Sequence, residues 1–197
     1  MAQIFLNYRK VDADFAAALL DQGLSERFGS GAVFLASKSI ELGVDWEAEM
    51  FAAVERSLAL LVVMGRNWLT ASKADGTRCL DDPADFVRRE IIAALDHGKK
   101  VVPVRLGINP PPLDEVPEVL RPAMARQGIQ VRFRSSAVDI DHLATKLRDE
   151  IPELRALGAP EPKAGPAAVH AGWVGAVNTF NGDTHVSGDF NAGPRFG

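Results

Sequence analysis

Five short apolar runs constrain this chain more than any other feature: IFLNY at 4–8, AVFLA at 32–36, LALLVVMG at 58–65, KVVPVRL at 100–106 and IQVRF at 129–133. Most do not alternate apolar with polar residues, so the strands they form must be covered on both faces. Such burial belongs to a central parallel sheet with helices on either side. The intervening segments carry helical spacing. The β-α-β alternation therefore predicts a doubly wound open sheet, with its ligand crevice beyond the carboxyl ends of the strands.

Between the first two runs, DADFAAALLDQGLSERFG places Phe15, Ala18, Leu19 and Leu24 near helical spacing, and Gly29 suits a left-handed stop. After the second run comes a polar loop, SKSIELG, and then a helix in VDWEAEMFAAVERS with Trp46, Met50, Phe51 and Val54 along one side. A longer polar stretch follows the third run. It ends at Asp82-Pro83, a helix start, and the helix extends to about Leu95. Asp139 or Asp141 is the expected cap of a last helix bearing Leu143, Leu147, Ile151 and Leu154, which Pro152 must bend or end. Loops 37–45 and 66–82 follow the second and third strands and so belong to the crevice end.

The globular pattern finishes near Leu157, giving a domain over 1–157. GAPEPKAGPAA and its neighbours, 158–169, read as an extended linker of small residues and proline. Residues 170–197 form a tail rich in Gly and Asn, in which NGDTHV is loosely echoed by SGDFNA.

A formal charge of −4 without a Lys/Arg stripe argues against a nucleic-acid binder. No run approaches the roughly 18 apolar residues of a membrane span. The first ten residues do not resemble a secretory signal, and the single cysteine, Cys79, has no internal disulfide partner, so a reducing cytoplasmic location is expected. His170 and His185 lack ligand partners at metal spacing, so no metal site is expected.

Three segments, in order, resemble the bacterial form of the Toll/interleukin receptor (TIR) domain. IFLNYRKVDAD is similar to that family's F-I-S-Y-R-x-x-D; VFLASKSIELGVDW is similar to its second strand and BB loop; and DFVRREIIAALDHGKKVVPV is similar to W/D-x-V-x-x-E-I-x-x-A-L-x-x-G-K-x-V-V-P-V. The resemblance covers about residues 3–150. It implies a flavodoxin-like three-layer sandwich around a five-stranded parallel sheet. It departs from the pattern at Ala36, where an acidic residue is common, and at MGRN 64–67, which lacks the usual serine.

Members of this family divide into scaffolds that recruit other TIR domains and enzymes that hydrolyse or cyclise NAD. The resemblance implies the enzymatic class, with NAD+ as substrate and no separate cofactor, in an immune or anti-phage role. The catalytic glutamate of that class falls on Glu90. One carboxylate can suffice, because nicotinamide leaves as a neutral group and positive charge builds on the ribose, where a nearby carboxylate stabilises it. By composition alone, Glu90 would be a solvated residue on a helix face.

Tyr8, Arg9 and Lys10 leave the first strand at its carboxyl end, placed to meet a base or a pyrophosphate, although Tyr8 serves equally as packing. Gly43 and Trp46 mark the BB loop, with Trp46 either beside nicotinamide or anchoring its helix. Lys38 is a phosphate contact or ordinary loop solvation. Trp68 borders the pocket only if loop 66–82 folds inward.

The resemblance further implies self-association through TIR domains and the BB loop. The tail resembles amyloid signalling motifs, with Val177, Phe180, Val186 and Phe190 as apolar positions for assembly or for an upstream sensor sharing the motif. The competing reading is a non-enzymatic TIR adaptor or host-signalling mimic.

Overall fold

The computed structural model describes residues 3–40 and 43–157. Five strands, β1 (Ile4–Tyr8), β2 (Val33–Phe34), β3 (Ala59–Met64), β4 (Lys100–Leu106) and β5 (Ile129–Val131), form one parallel sheet in the order β2-β1-β3-β4-β5. All six residues of β3 are buried, as a strand enclosed on both faces requires. Chain direction across the sheet reverses beside β1, since β2 pairs on one edge of β1 and β3 on the other. The carboxyl ends of β1 and β3 thus flank the switch point, where open α/β sheets bind ligands.

Side-chain parity divides the interior. Ile4, Leu6 and Tyr8 face a layer built by α1 (Lys10–Phe28) and, late in the chain, α6 (Ser136–Glu150), whereas Phe5 belongs to the opposite layer, formed with α3 (Trp46–Arg56) and α4 (Phe86–Asp96). Short helices α2 (Ala36–Ser39), α5 (Arg121–Met124) and α7 (Pro152–Arg155) complete the set. This is the expected three-layer α/β sandwich. Among the described residues, no helix is long and apolar enough to cross a membrane.

Several local expectations are corrected. The α1 face that packs on the sheet carries Ala13, Ala17, Leu20, Leu24 and Phe28, while Phe15 is 93% exposed and Leu19 and Ala18 also point outward. The second strand is only two residues long, and part of the loop after it is the helical turn α2. Trp46 opens α3 but stays exposed, so Met50, Ala53 and Val54 make its buried face.

Helix α4 starts at Phe86, with its cap three residues beyond Asp82, because the carboxylate that accepts a helical N–H is that of Asp85, from Arg88 at 3.0 Å. Asp82 instead accepts from Ala84 N and pairs with Lys73. Asp139 does not cap α6 from outside but sits within its first turns, accepting from Arg132 N, the Arg132 guanidinium and Ser135 Oγ; Asp141 lies further in, paired with Arg27. These contacts, the guanidinium first, hold the Asp139 carboxyl well below the usual carboxylate range. The linker 158–169 and the tail positions Val177, Phe180, Val186 and Phe190 lie outside the described residues.

Candidate functional site

The site is built on α4. Val87, Glu90, Ile91 and Ala94 recur at helical spacing and form its buried stripe. Glu90 is therefore not on the wet face of the helix: it is 7% exposed, among the apolar residues of the α3/α4 layer. A carboxyl group in that position needs a polar partner, and β1 supplies it. Asn7, itself fully buried, donates from Nδ2 to Glu90 Oε2 at 2.6 Å and to the Val87 carbonyl at 3.0 Å. Because a carbonyl can only accept, the bond to Val87 fixes which end of the amide faces α4. Asn7 Oδ1 has no partner among the described residues.

Burial pushes the Glu90 carboxyl up to about 8; the Asn7 hydrogen bond opposes this, the charge of Asp85 adds to it and that of Arg9 offsets it. In this closed arrangement the desolvation of the charged form outweighs a short hydrogen bond. Glu90 is largely protonated at neutral pH.

Arg9 and Asp85 form a bidentate pair one turn from Glu90, Nη1 to Oδ2 at 2.9 Å and Nη2 to Oδ1 at 3.0 Å. Both side chains are about nine-tenths buried. The same Asp85 carboxylate caps α4, so one group joins the end of β1 to the start of the helix that carries Glu90. Asp85→Ala should cost about 3 kcal/mol of folding stability, from the lost cap and the guanidinium left without its partner; chemical denaturation measures it, and a loss below about 1 kcal/mol contradicts the assignment.

A second connection crosses the switch point. Asp12 accepts from Gly65 N at 2.9 Å and from Asn67 N at 2.8 Å, tying the start of α1 to the loop after β3. A Cβ at position 65 would lie 2.6 Å from the Asp12 carboxylate, so only glycine permits this approach.

The candidate residues read from the sequence separate into groups. Arg9 lies at the site, with Nη1 and Nη2 held by Asp85 and its buried Nε without a partner among the described residues. Tyr8 is on the other face of the sheet from Asn7, packed on the α1/α6 layer, because successive strand residues point oppositely. Lys10 is exposed at the first turn of α1. Lys38 binds Asp21 of α1 at 2.7 and 2.9 Å, on the β2 side of the sheet.

Gly43 has φ of +85° in the exposed loop before α3. Trp46, 46% exposed, packs against Phe86 with ring centroids 4.6 Å apart. Phe86 precedes Glu90 by one helical turn, so Trp46 reaches the α4 amino end through it. Arg89 lies over the Phe51 and Phe86 rings and pairs with Glu47, closing the α3–α4 seam.

Trp68 is the clearest displacement. Its loop does fold inward, but the ring is 1% exposed and joins the core cluster of Met64, Leu80, Val87 and Ile91. The indole is the largest apolar surface in that loop and fills the layer instead of bordering a pocket.

Asn7, Asp12, Asp85 and Phe86 were not among the candidates. The one available signal was Asn7, a lone amide inside an apolar run. Neither of two cavities is lined by Glu90: one of about 720 Å³ lies between β5 and α6, and one of about 260 Å³ beside β2 and α3. The carboxyl group is enclosed in this state.

The TIR domain family matches residues 4–148, most of the chain. The chain belongs to the TIR family. Over 129 residues this TIR domain is 29% identical to "NAD(+) hydrolase SARM1" of Danio rerio, a match covering 64% of the chain but 17% of that protein. In fold it is similar to the TIR domains of the activated Roq1 resistosome that recognises the pathogen effector XopQ, with a TM-score of 0.55 and 15% identity over 75% of this chain and 99% of that one. The five-stranded TIR sandwich is thereby shown.

Proposed function

We propose that this TIR domain cleaves the ribose–nicotinamide bond of NAD+, as a glycohydrolase or a cyclase, with Glu90 as the catalytic carboxylate. The observation that carries the reading is Glu90 itself. A glutamate enclosed among apolar residues and raised in pKa opposes folding at neutral pH, which is characteristic of a functional carboxyl group. Its position on α4, beside the carboxyl end of β1 and the switch point, is where an α/β sheet receives a ligand. The similarity to a protein named for NAD+ hydrolysis supports the same chemistry.

Substrate entry reverses the protonation argument. The nicotinamide ring of NAD+ is cationic, and a positive charge nearby favours the carboxylate form of Glu90. As the glycosidic bond lengthens, nicotinamide leaves as a neutral molecule, positive charge passes to the ribose, and the carboxylate stabilises it. Water, or a nucleophile within the substrate, then takes the anomeric carbon.

The closed site of a single chain fits activation by assembly: a neighbouring copy would open the region between α3 and the loop at Gly43 to substrate, with Trp46 and Phe86 as its aromatic wall. We place this activity in bacterial anti-phage defence, with assembly set off by an upstream partner through the tail.

The test is incubation of concentrated protein with NAD+, with nicotinamide and nucleotide products separated by chromatography. Expected are nicotinamide release and either ADP-ribose or a cyclic isomer. Because the ionised carboxyl is the working form, kcat/KM should rise about tenfold per pH unit from pH 6 and level off near 8, with the limb of kcat lying lower once the cationic substrate is bound. A flat profile removes Glu90 from the reaction. Absence of nicotinamide release at every concentration would favour the adaptor reading, for which the exposed Val44 and Trp46 offer a contact surface.

A further inference from the structure

We propose that Asn7 is the positioning residue of the reaction: its side-chain amide, fixed by the Val87 carbonyl, sets the orientation of the Glu90 carboxyl group. The inference rests on the NAD-cleaving role of Glu90 and deepens it. The two residues are 83 positions apart, on different elements, and both are buried. Asn7 has one NH2 group, and each of its hydrogens is committed, one to the backbone of α4 and one to Glu90. The first bond immobilises the amide, and the second transmits that rigidity to the carboxyl group. Among the described residues no other donor bonds the Glu90 carboxyl, so nothing else chooses the rotamer of this long side chain among its apolar neighbours.

In the strand pattern that this chain resembles, the matching position is serine. A hydroxyl donates one hydrogen bond and reaches less far, so it cannot hold both acceptors. The donated bond also favours the ionised carboxyl, against burial and the charge of Asp85, while Arg9 acts in the same direction as Asn7. Asp85 and Arg9 are the charged groups acting on this carboxyl, from the α4 cap and the end of β1, and they bind each other. Removing Asn7 leaves that pair intact.

The experiment compares Asn7→Leu and Asn7→Ser with the wild-type chain. Asn7→Leu keeps the branched outline, in a slightly larger side chain, and deletes both donors; kcat for NAD+ cleavage should fall at least tenfold, with KM within twofold, and the acid limb of the rate profile should move up by about one pH unit. Asn7→Ser should fall between, and keeps the test open if the leucine variant does not fold.

A second readout needs no activity. The pH dependence of the stability difference between each chain and its Glu90→Gln derivative gives the titration midpoint of Glu90, which should rise by about one unit in Asn7→Leu. Unchanged kcat with an unchanged midpoint overturns the role of Asn7 while leaving that of Glu90 standing. A shifted midpoint in a chain that never cleaves NAD+ retains the contact and overturns the reaction.

Discussion

Glu90→Gln is expected to abolish nicotinamide release, by a factor of about 100 or more, and at the same time to make the protein more stable. The first effect follows from the loss of the charge that stabilises the ribose cation. The second follows from burial. The folded chain holds the Glu90 proton up to about pH 8, whereas the unfolded chain releases it near the ordinary value of 4.5. Between those limits the folded state binds more protons than the unfolded one. Stability contributed by the neutral group is thus fully present below pH 4.5 and is lost as pH rises, by roughly 1.4 kcal/mol per unit, until about 8.

Glutamine does not titrate and keeps an amide where the carboxyl stood. The stability gap between variant and wild type should be near zero at pH 4, widen to a few kcal/mol by pH 8 and then stay constant. Other carboxylates, such as that of Asp139, titrate alike in both proteins and cancel in the difference. Thermal or urea unfolding across pH 4–9, beside the NAD+ assay, measures both effects. An inactive but destabilised variant would mean that Glu90 supports the fold; an active one would remove it from catalysis.

Trp68→Ala should destabilise the domain by about 4 kcal/mol, through the loss of the largest side chain among the fully buried residues and the cavity that remains. Denaturant titration gives the number. Trp68→Phe should recover most of the loss, since the indole Nε1 has no hydrogen-bond partner among the described residues and only apolar contact is at stake. Activity of the phenylalanine variant should stay near wild type. If that variant folds normally but KM for NAD+ rises tenfold, Trp68 touches substrate after all and the loop must open to expose it.

How much was legible depends on whether a segment carried its own reason. KVVPVRL has an apolar centre, Val101 to Val104, and became β4 over the same seven residues with that centre buried. Gly29 was readable as a stop because its φ of 102° is one that other residues rarely adopt. The face of α1 was not readable: FAAALL is apolar around the whole helix, so spacing cannot decide whether Leu19 or Leu20 turns inward. The start of α4 was read at Asp82-Pro83, whereas the cap is Asp85, whose carboxylate also binds Arg9, 76 residues away.

At the site the same division holds. Glu90 could be named from the segment around it, which resembles the TIR pattern. Its burial, its raised pKa and its bond to Asn7 could not be, since they depend on β1 and α4 meeting across 83 residues. Local patterning, through hydrophobic runs, caps and glycines, determined that strands and helices alternate and in what order, because those preferences act between near neighbours. Only the tertiary structure decided that Trp68 fills the core, that Tyr8 and Asn7 face opposite layers, and that Glu90 is enclosed. Burial and electrostatics are sums over everything packed around a group, and most of what surrounds Glu90 comes from elsewhere in the chain.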